Sequence, residues 1–369
     1  MLFTYWEYMK RWHALIVLIS LLLGSCATNE KNHYKGLHKV WFNKELDINA
    51  TSLIVSEGYI YGTTLDKRLF KLDLGTGKAV WNVPSSTSYM GQKPLLCNEQ
   101  LFIGGSDVLN AFDLNGSLLW SMKTEGNAKH SIVDYEDLVL SSISGKGLVA
   151  YNKSNGQIEW QHLPDHQMLS LSPPSIQDSL IAVGNFGSSV ENGFRGTIMV
   201  NAKTGEEVWQ WKKPRYLASE ALFHQNVLYS CFDSAYTKGQ VIAFNIADGS
   251  VLWETASSPE TGIKPALCKD GLLIASYKTG LNCLDLPTGT QKWTLNDEAL
   301  APATELVVHD GLVYFGTQKR ELLVVNEQGL IQFRTQFNYG VGTLVVYKDR
   351  IYVIDGGGAL YQVPSMDEK

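Results

Sequence analysis

The chain has 369 residues, a formal net charge of −6 and a pI near 5.8, a balance that argues against a nucleic-acid binder, which would carry a basic stripe. At 44% hydrophobic and 11% aromatic it has ample material for a packed core. Its length alone would imply two or three domains, but a repeat along the chain overrides that expectation and predicts one.

The N-terminus reads as an export signal: Lys10 and Arg11, the apolar run Ala14–Leu23, then Leu23-Gly24-Ser25-Cys26. An apolar core this short suits a signal peptide better than a membrane-spanning helix. The Leu-Gly-Ser-Cys ending resembles the bacterial lipobox, which implies that residues 1–25 are removed and that Cys26 carries lipid. Glu7 and the aromatics among residues 1–8 are unusual before such a signal, so Met9 is the expected start of translation. Ala27 follows the cysteine with no Asp in its place, which points to the outer membrane, facing the periplasm. Residues 26–37 are polar and read as a lipidated tether that anchors the chain without spanning the bilayer.

From residue 38 onward Trp41, Trp81, Trp120, Trp160, Trp209, Trp253 and Trp293 recur at steps of 40, 39, 40, 49, 44 and 40 residues, and Phe333 follows 40 later. Each aromatic from Trp81 on closes a cassette such as FKLDLGTGKAVW (Phe70–Trp81): an apolar strand, one Asp or Asn, a Gly-centred turn, then the ring. The acid or amide bonds the turn backbone and the glycine takes its positive φ. Another hairpin lies upstream of each cassette, as at Glu57-Gly58, Asp270-Gly271 and Asp310-Gly311, with strand-favouring Val, Ile, Tyr and Phe on its flanks. Each repeat is therefore a four-stranded meander, the unit of a propeller blade. The orphan strand His38–Leu46 and the incomplete last repeat Gly342–Pro364 predict an eighth blade shared by the two ends. The fold class is all-β: an eight-bladed propeller over residues 38–369, closed by N- and C-terminal strands. The regular period makes the tryptophans wedges between sheets rather than a ligand-stacking surface.

The cassettes resemble the repeat of pyrroloquinoline-quinone-type propellers, as in Leu72-Asp73…Thr76-Gly77…Trp81 and Leu284-Asp285…Thr288-Gly289…Trp293. In size and layout the chain is similar to the BamB family, the lipoprotein scaffold of outer-membrane β-barrel assembly. That resemblance implies a ring without catalysis, protein partners in the barrel-assembly complex, and no cofactor or metal. Tyr216 and Ala218 stand where the family carries an acidic pair before a middle blade.

Quinoprotein dehydrogenases share the repeat and supply the rival reading, a periplasmic redox enzyme. They clamp quinone with a Trp and two adjacent, disulfide-linked cysteines beside Ca²⁺. This chain has no Cys-Cys pair and no acidic cluster with calcium's six to eight oxygens. A third reading is a ligand-binding propeller with a polysaccharide or another small molecule at the channel mouth. Cys97, Cys231, Cys268 and Cys283 read as buried thiols, although an oxidising compartment permits one bridge. His162 and His166 are separated by Pro164, which disfavours a helix presenting both to a metal. Gly356-Gly357-Gly358 reads as a tight turn between the second and third strands of the last blade.

Blades 4 and 5 carry surplus length between their second and third strands, at residues 185–195 and 233–238, on one face of the ring. Long loops on a rigid scaffold concentrate binding, so Phe186, Phe194, Arg195 and Tyr236 are the expected partner-contact residues. Lys93 and Lys264 are further candidates, as cations at the channel mouth on that face.

Overall fold

The structure is a computed structural model that describes residues 36–85, 93–128, 131–163, 170–187, 196–212, 217–233, 238–257, 262–269 and 271–364. These residues belong to one compact unit, an all-β ring of eight antiparallel sheets. We letter the strands of each blade A to D from the channel outwards.

Seven sheets are formed by consecutive strands; blade 1, for example, is Ile48–Ser56, Tyr59–Thr64, Arg68–Asp73 and Ala79–Pro84. The eighth takes strands A to C from Val341–Tyr347, Arg350–Asp355 and Ala359–Gln362, and its strand D is His38–Phe42. His38 pairs with Gln362, Lys39 with Tyr361, Trp41 with Leu360 and Phe42 with Ala359. The closing strand is shorter than the His38–Leu46 expected from sequence. Asn43 ends it by accepting from the amides of Glu45 and Leu46, both at 2.9 Å, which turns the chain towards blade 1.

The single core of an ordinary domain is replaced here by seams. Each buried apolar cluster draws on two successive blades and includes the tryptophan of the earlier one. The arrangement follows from the sheets standing radially: each sheet's two faces must both be covered, and only the neighbouring blades can cover them. The register of all seven complete C–D pairs shifts at the same place, just after the residue facing the aromatic; Trp120 faces Ala111, and the shift lies between Ala111 and Phe112. A bulge re-aims a side chain, and here the rephased strand D carries the indole into the seam.

The sequence did not show that strand A of blades 4 and 5 is broken in two. Ser170–Leu171 and Ser175–Gln177 both pair with Leu180–Gly187, and Leu217–Ala218 and Leu222–His224 both pair with Val227–Asp233. In blade 4 the break holds Pro173 and Pro174, which have no amide to give to a ladder.

Candidate functional site at the blade seams and the channel mouth

Each seam is built from one aromatic and one turn. The indole Nε1 of every repeating tryptophan donates to a carbonyl of the next blade: Trp41 to Leu74 (2.7 Å), Trp81 to Leu114 (2.9 Å), Trp120 to Lys153 (2.7 Å), Trp160 to Ala202 (3.1 Å). Trp209 donates to Ile246 (2.8 Å), Trp253 to Leu286 (2.9 Å) and Trp293 to Glu327 (2.6 Å). The turn glycine of that next blade lies over the ring; a Cβ at Gly249 would stand 2.6 Å from Cδ2 of Trp209. The turn Asp or Asn accepts backbone amides in all seven cassettes, from Asp73 with Thr76 (2.8 Å) to Asn326 with Leu330 (2.9 Å). At the closing seam Phe333 has no N–H, and Gly36 takes the turn glycine's place, its Cβ position 3.2 Å from the Phe333 ring.

At the channel mouth the register aligns one slot across the blades, two residues before the last three residues of strand A. Lys93, Glu220, Lys264 and Glu305 occupy it in blades 2, 5, 6 and 7, each two residues ahead of Leu95, Leu222, Ala266 and Val307. Both lysines expected there meet carboxylates. Lys93 bonds Glu305, joining blade 2 to blade 7 across the ring, and Lys264 Nζ lies 2.6 Å from Glu220 Oε1. Ser175 Oγ adds a 3.4 Å contact to the same oxygen. Burial pushes the Glu220 carboxyl above its ordinary range, Lys264 opposes this, and the nearby Glu305 adds to it. Glu220 and Glu305 escaped the sequence reading, although their place two residues ahead of strand A's last three matches that of Lys93 and Lys264. Among the described residues these charges at the mouth are thus paired rather than a cationic rim.

Of the expected contact residues, Phe186 lies on strand B of blade 4. Phe194, Arg195 and Tyr236 lie outside the described residues, as do Tyr216, Cys26 and residues 27–35 of the expected tether; Gly36, at the tether's expected end, instead packs against Phe333. Ala218 ends the first piece of strand A in blade 5 and is buried against Gly184, where it presents nothing to a partner. His166 also lies outside the described residues. His162 is half-buried, its Nε2 3.6 Å from Glu207, and burial lowers its pKa against that carboxylate's pull. Among the described residues no group of three or more His, Cys, Asp or Glu side chains could hold a metal ion.

The cysteines are not equivalent. Cys97 is half-buried, and burial pushes its thiol up to about 11. Cys231 is buried in the seam between blades 5 and 6. Cys268 and Cys283, 15 residues apart in sequence, have their sulfurs 3.8 Å apart inside blade 6. Their mutual hydrogen bond, then burial, raise the Cys283 thiol far above its ordinary range. The two lie on strands A and C rather than adjacent in sequence, so they do not form the vicinal clamp that a quinone would need.

A family model described as outer membrane protein assembly factor BamB matches residues 66–190 and 194–365. The chain belongs to this family. A BamB from Yersinia pestis is 25% identical over 237 residues, covering 57% of this chain and 59% of its own length. The tetrathionate hydrolase of Acidithiobacillus ferrooxidans is 20% identical over 292 residues, 73% of this chain and 53% of the hydrolase. The chain thus spans little more than half the length of these two relatives. The crystal structure of BamB from Moraxella catarrhalis superposes with a TM-score of 0.71 at 16% identity, covering 90% of this chain and 99% of that one.

Proposed function

We propose that this chain is a non-catalytic, lipid-anchored docking ring that supports assembly of β-barrel proteins at the outer membrane, facing the periplasm. Membership of the BamB family across nearly the whole ring is the observation that carries this reading. At the channel mouth Lys93 pairs with Glu305 and Lys264 with Glu220, a surface of compensated charge that suits docking. In this reading Cys26 carries the lipid, residues 26–37 are the tether, and the tether raises local concentration at the membrane. Phe186, Phe194, Arg195 and Tyr236 form the contact patch, at the connections between strands B and C of blades 4 and 5. Crosslinking in intact membranes followed by mass spectrometry tests this: barrel-assembly subunits are expected with the parent and are reduced by alanine at those four positions. Reproducible absence of those subunits from the parent's crosslinks would sink the reading.

A second reading, an enzyme, has one specific observation behind it, the similarity to tetrathionate hydrolase over 73% of the chain. Turnover of tetrathionate by the purified mature protein would favour it over the docking ring.

A further inference from the structure

Blade 6 departs from the repeat at three positions that meet in space. Strand A ends at Cys268, strand B opens at Gly271, and Cys283 on strand C faces Trp293. Every other blade opens strand B with a side chain, from Tyr59 and Gln100 to Leu312 and Arg350. Blade 2 also ends strand A in a cysteine, Cys97, but there strand B opens with Gln100 and the position facing Trp120 is Ala111. A Cβ at residue 271 would lie 2.3 Å from the Cys283 sulfur and 3.1 Å from that of Cys268. The glycine is therefore what admits both sulfurs to one pocket, and all three substitutions serve the same 3.8 Å approach.

A disulfide does not fit this geometry. Strand B lies between strands A and C, so the two backbones stand about two strand spacings apart, roughly 9.5 Å. A disulfide tolerates about 7 Å between Cα atoms. A bridging ion suits the span. With metal–sulfur bonds of about 2.3 Å, two sulfurs 3.8 Å apart subtend roughly 110° at the ion, and separating them by less than about 1 Å makes the arrangement linear.

We infer that Cys268 and Cys283 form a buried two-thiolate site for a soft, thiophilic monovalent metal ion, Cu(I) in the first instance. Thiolates select such ions over oxygen-seeking cations. Binding exchanges two S–H protons for two metal–sulfur bonds: Cu⁺ and two thiols give the bis-thiolate complex and two released protons, with no change of oxidation state. The complex carries one negative charge; the charge of Lys292 favours it and that of Asp285 opposes it. The surrounding side chains, including Leu273, Leu281 and Val313, exclude water that would otherwise promote oxidation of the ion.

The test is an anaerobic titration of the full mature chain with Cu(I) against a chromogenic Cu(I) chelator. One equivalent is expected to resist the chelator and to release two protons, with X-ray absorption showing two sulfur neighbours. Cys268→Ser and Cys283→Ser should each lower Cu(I) affinity at least 100-fold, whereas Cys97→Ser and Cys231→Ser leave it unchanged. Three results would overturn the assignment: no stoichiometric uptake by the parent, uptake that survives Cys268→Ser, or a Cys268–Cys283 disulfide in protein alkylated directly from cells. The sulfur count is measured on the parent, so it decides the matter even if a serine variant fails to fold.

Discussion

The seam design makes a quantitative prediction about Gly249 and Trp209. Gly249 has φ 69°, and a Cβ there would meet Cδ2, Cε3 and Cγ of Trp209 at 2.6, 2.8 and 3.0 Å. Gly249→Ala should therefore incur two costs: about 1–2 kcal/mol for placing a non-glycine in the left-handed region, and about 1–3 kcal/mol of overpacking against the indole. Trp209→Ala removes a buried ring and its bond to Ile246, an expected loss of about 3–5 kcal/mol. In the double variant the overpacking disappears, because the ring it met is gone. The double loss should thus fall short of the sum of the single losses by about 1–3 kcal/mol. Gly145 supplies the control, with φ 75° and nothing within 4 Å of its Cβ position. Gly145→Ala should show only the backbone cost and add to Trp209→Ala. Urea unfolding of the parent and variants, followed by intrinsic fluorescence and circular dichroism in parallel, measures these differences. Additivity of Gly249→Ala with Trp209→Ala within about 0.5 kcal/mol would refute the claim that the glycine exists to admit the indole.

Removing residues 36–42 uncovers the hydrogen-bonding edge of Ala359–Gln362, and open edges recruit other strands. Self-association by light scattering is the expected result, and a monomer melting like the parent would show that the closing strand is dispensable. For Glu220, whose folded pKa is raised by burial, stability is fully present below the unfolded carboxyl pKa and falls as pH rises through the folded value. Glu220→Gln should flatten that decline, and a pH–stability profile unchanged from the parent would contradict it. His162 behaves in the opposite sense. Its folded pKa is lowered by burial, so stability is present above the unfolded value near 6.5 and lost as pH falls. His162→Gln should remove that part of the acid sensitivity, read from melting temperatures between about pH 7 and 5. Replacing Cys26 with Ala should move the protein from the membrane pellet to the soluble periplasmic fraction, and continued sedimentation with membranes would remove the lipid anchor from the proposal.

The period of the tryptophans, the turn Asp or Asn and the following glycine are local features, and a local repeat of near-constant length can be solved only by stacking like units. For that reason the eight blades and the pairing of residues near Trp41 with the C-terminal strands are legible in the sequence. Chain length between turns also marked blades 4 and 5 as irregular, but not how: the broken first strands depend on Pro173-Pro174 and on which amides the neighbouring strand B offers. Contacts between distant blades left no such trace. Nothing in the sequence near Lys93 names Glu305, 212 residues away, and nothing near Cys268 names Cys283 across an intervening strand. Sequence thus determined the unit and its number, because short-range hydrogen bonding and burial dictate both. Tertiary structure alone decided which charges neutralise one another at the mouth and which sulfurs meet, because ring closure and strand register bring those groups within bonding distance.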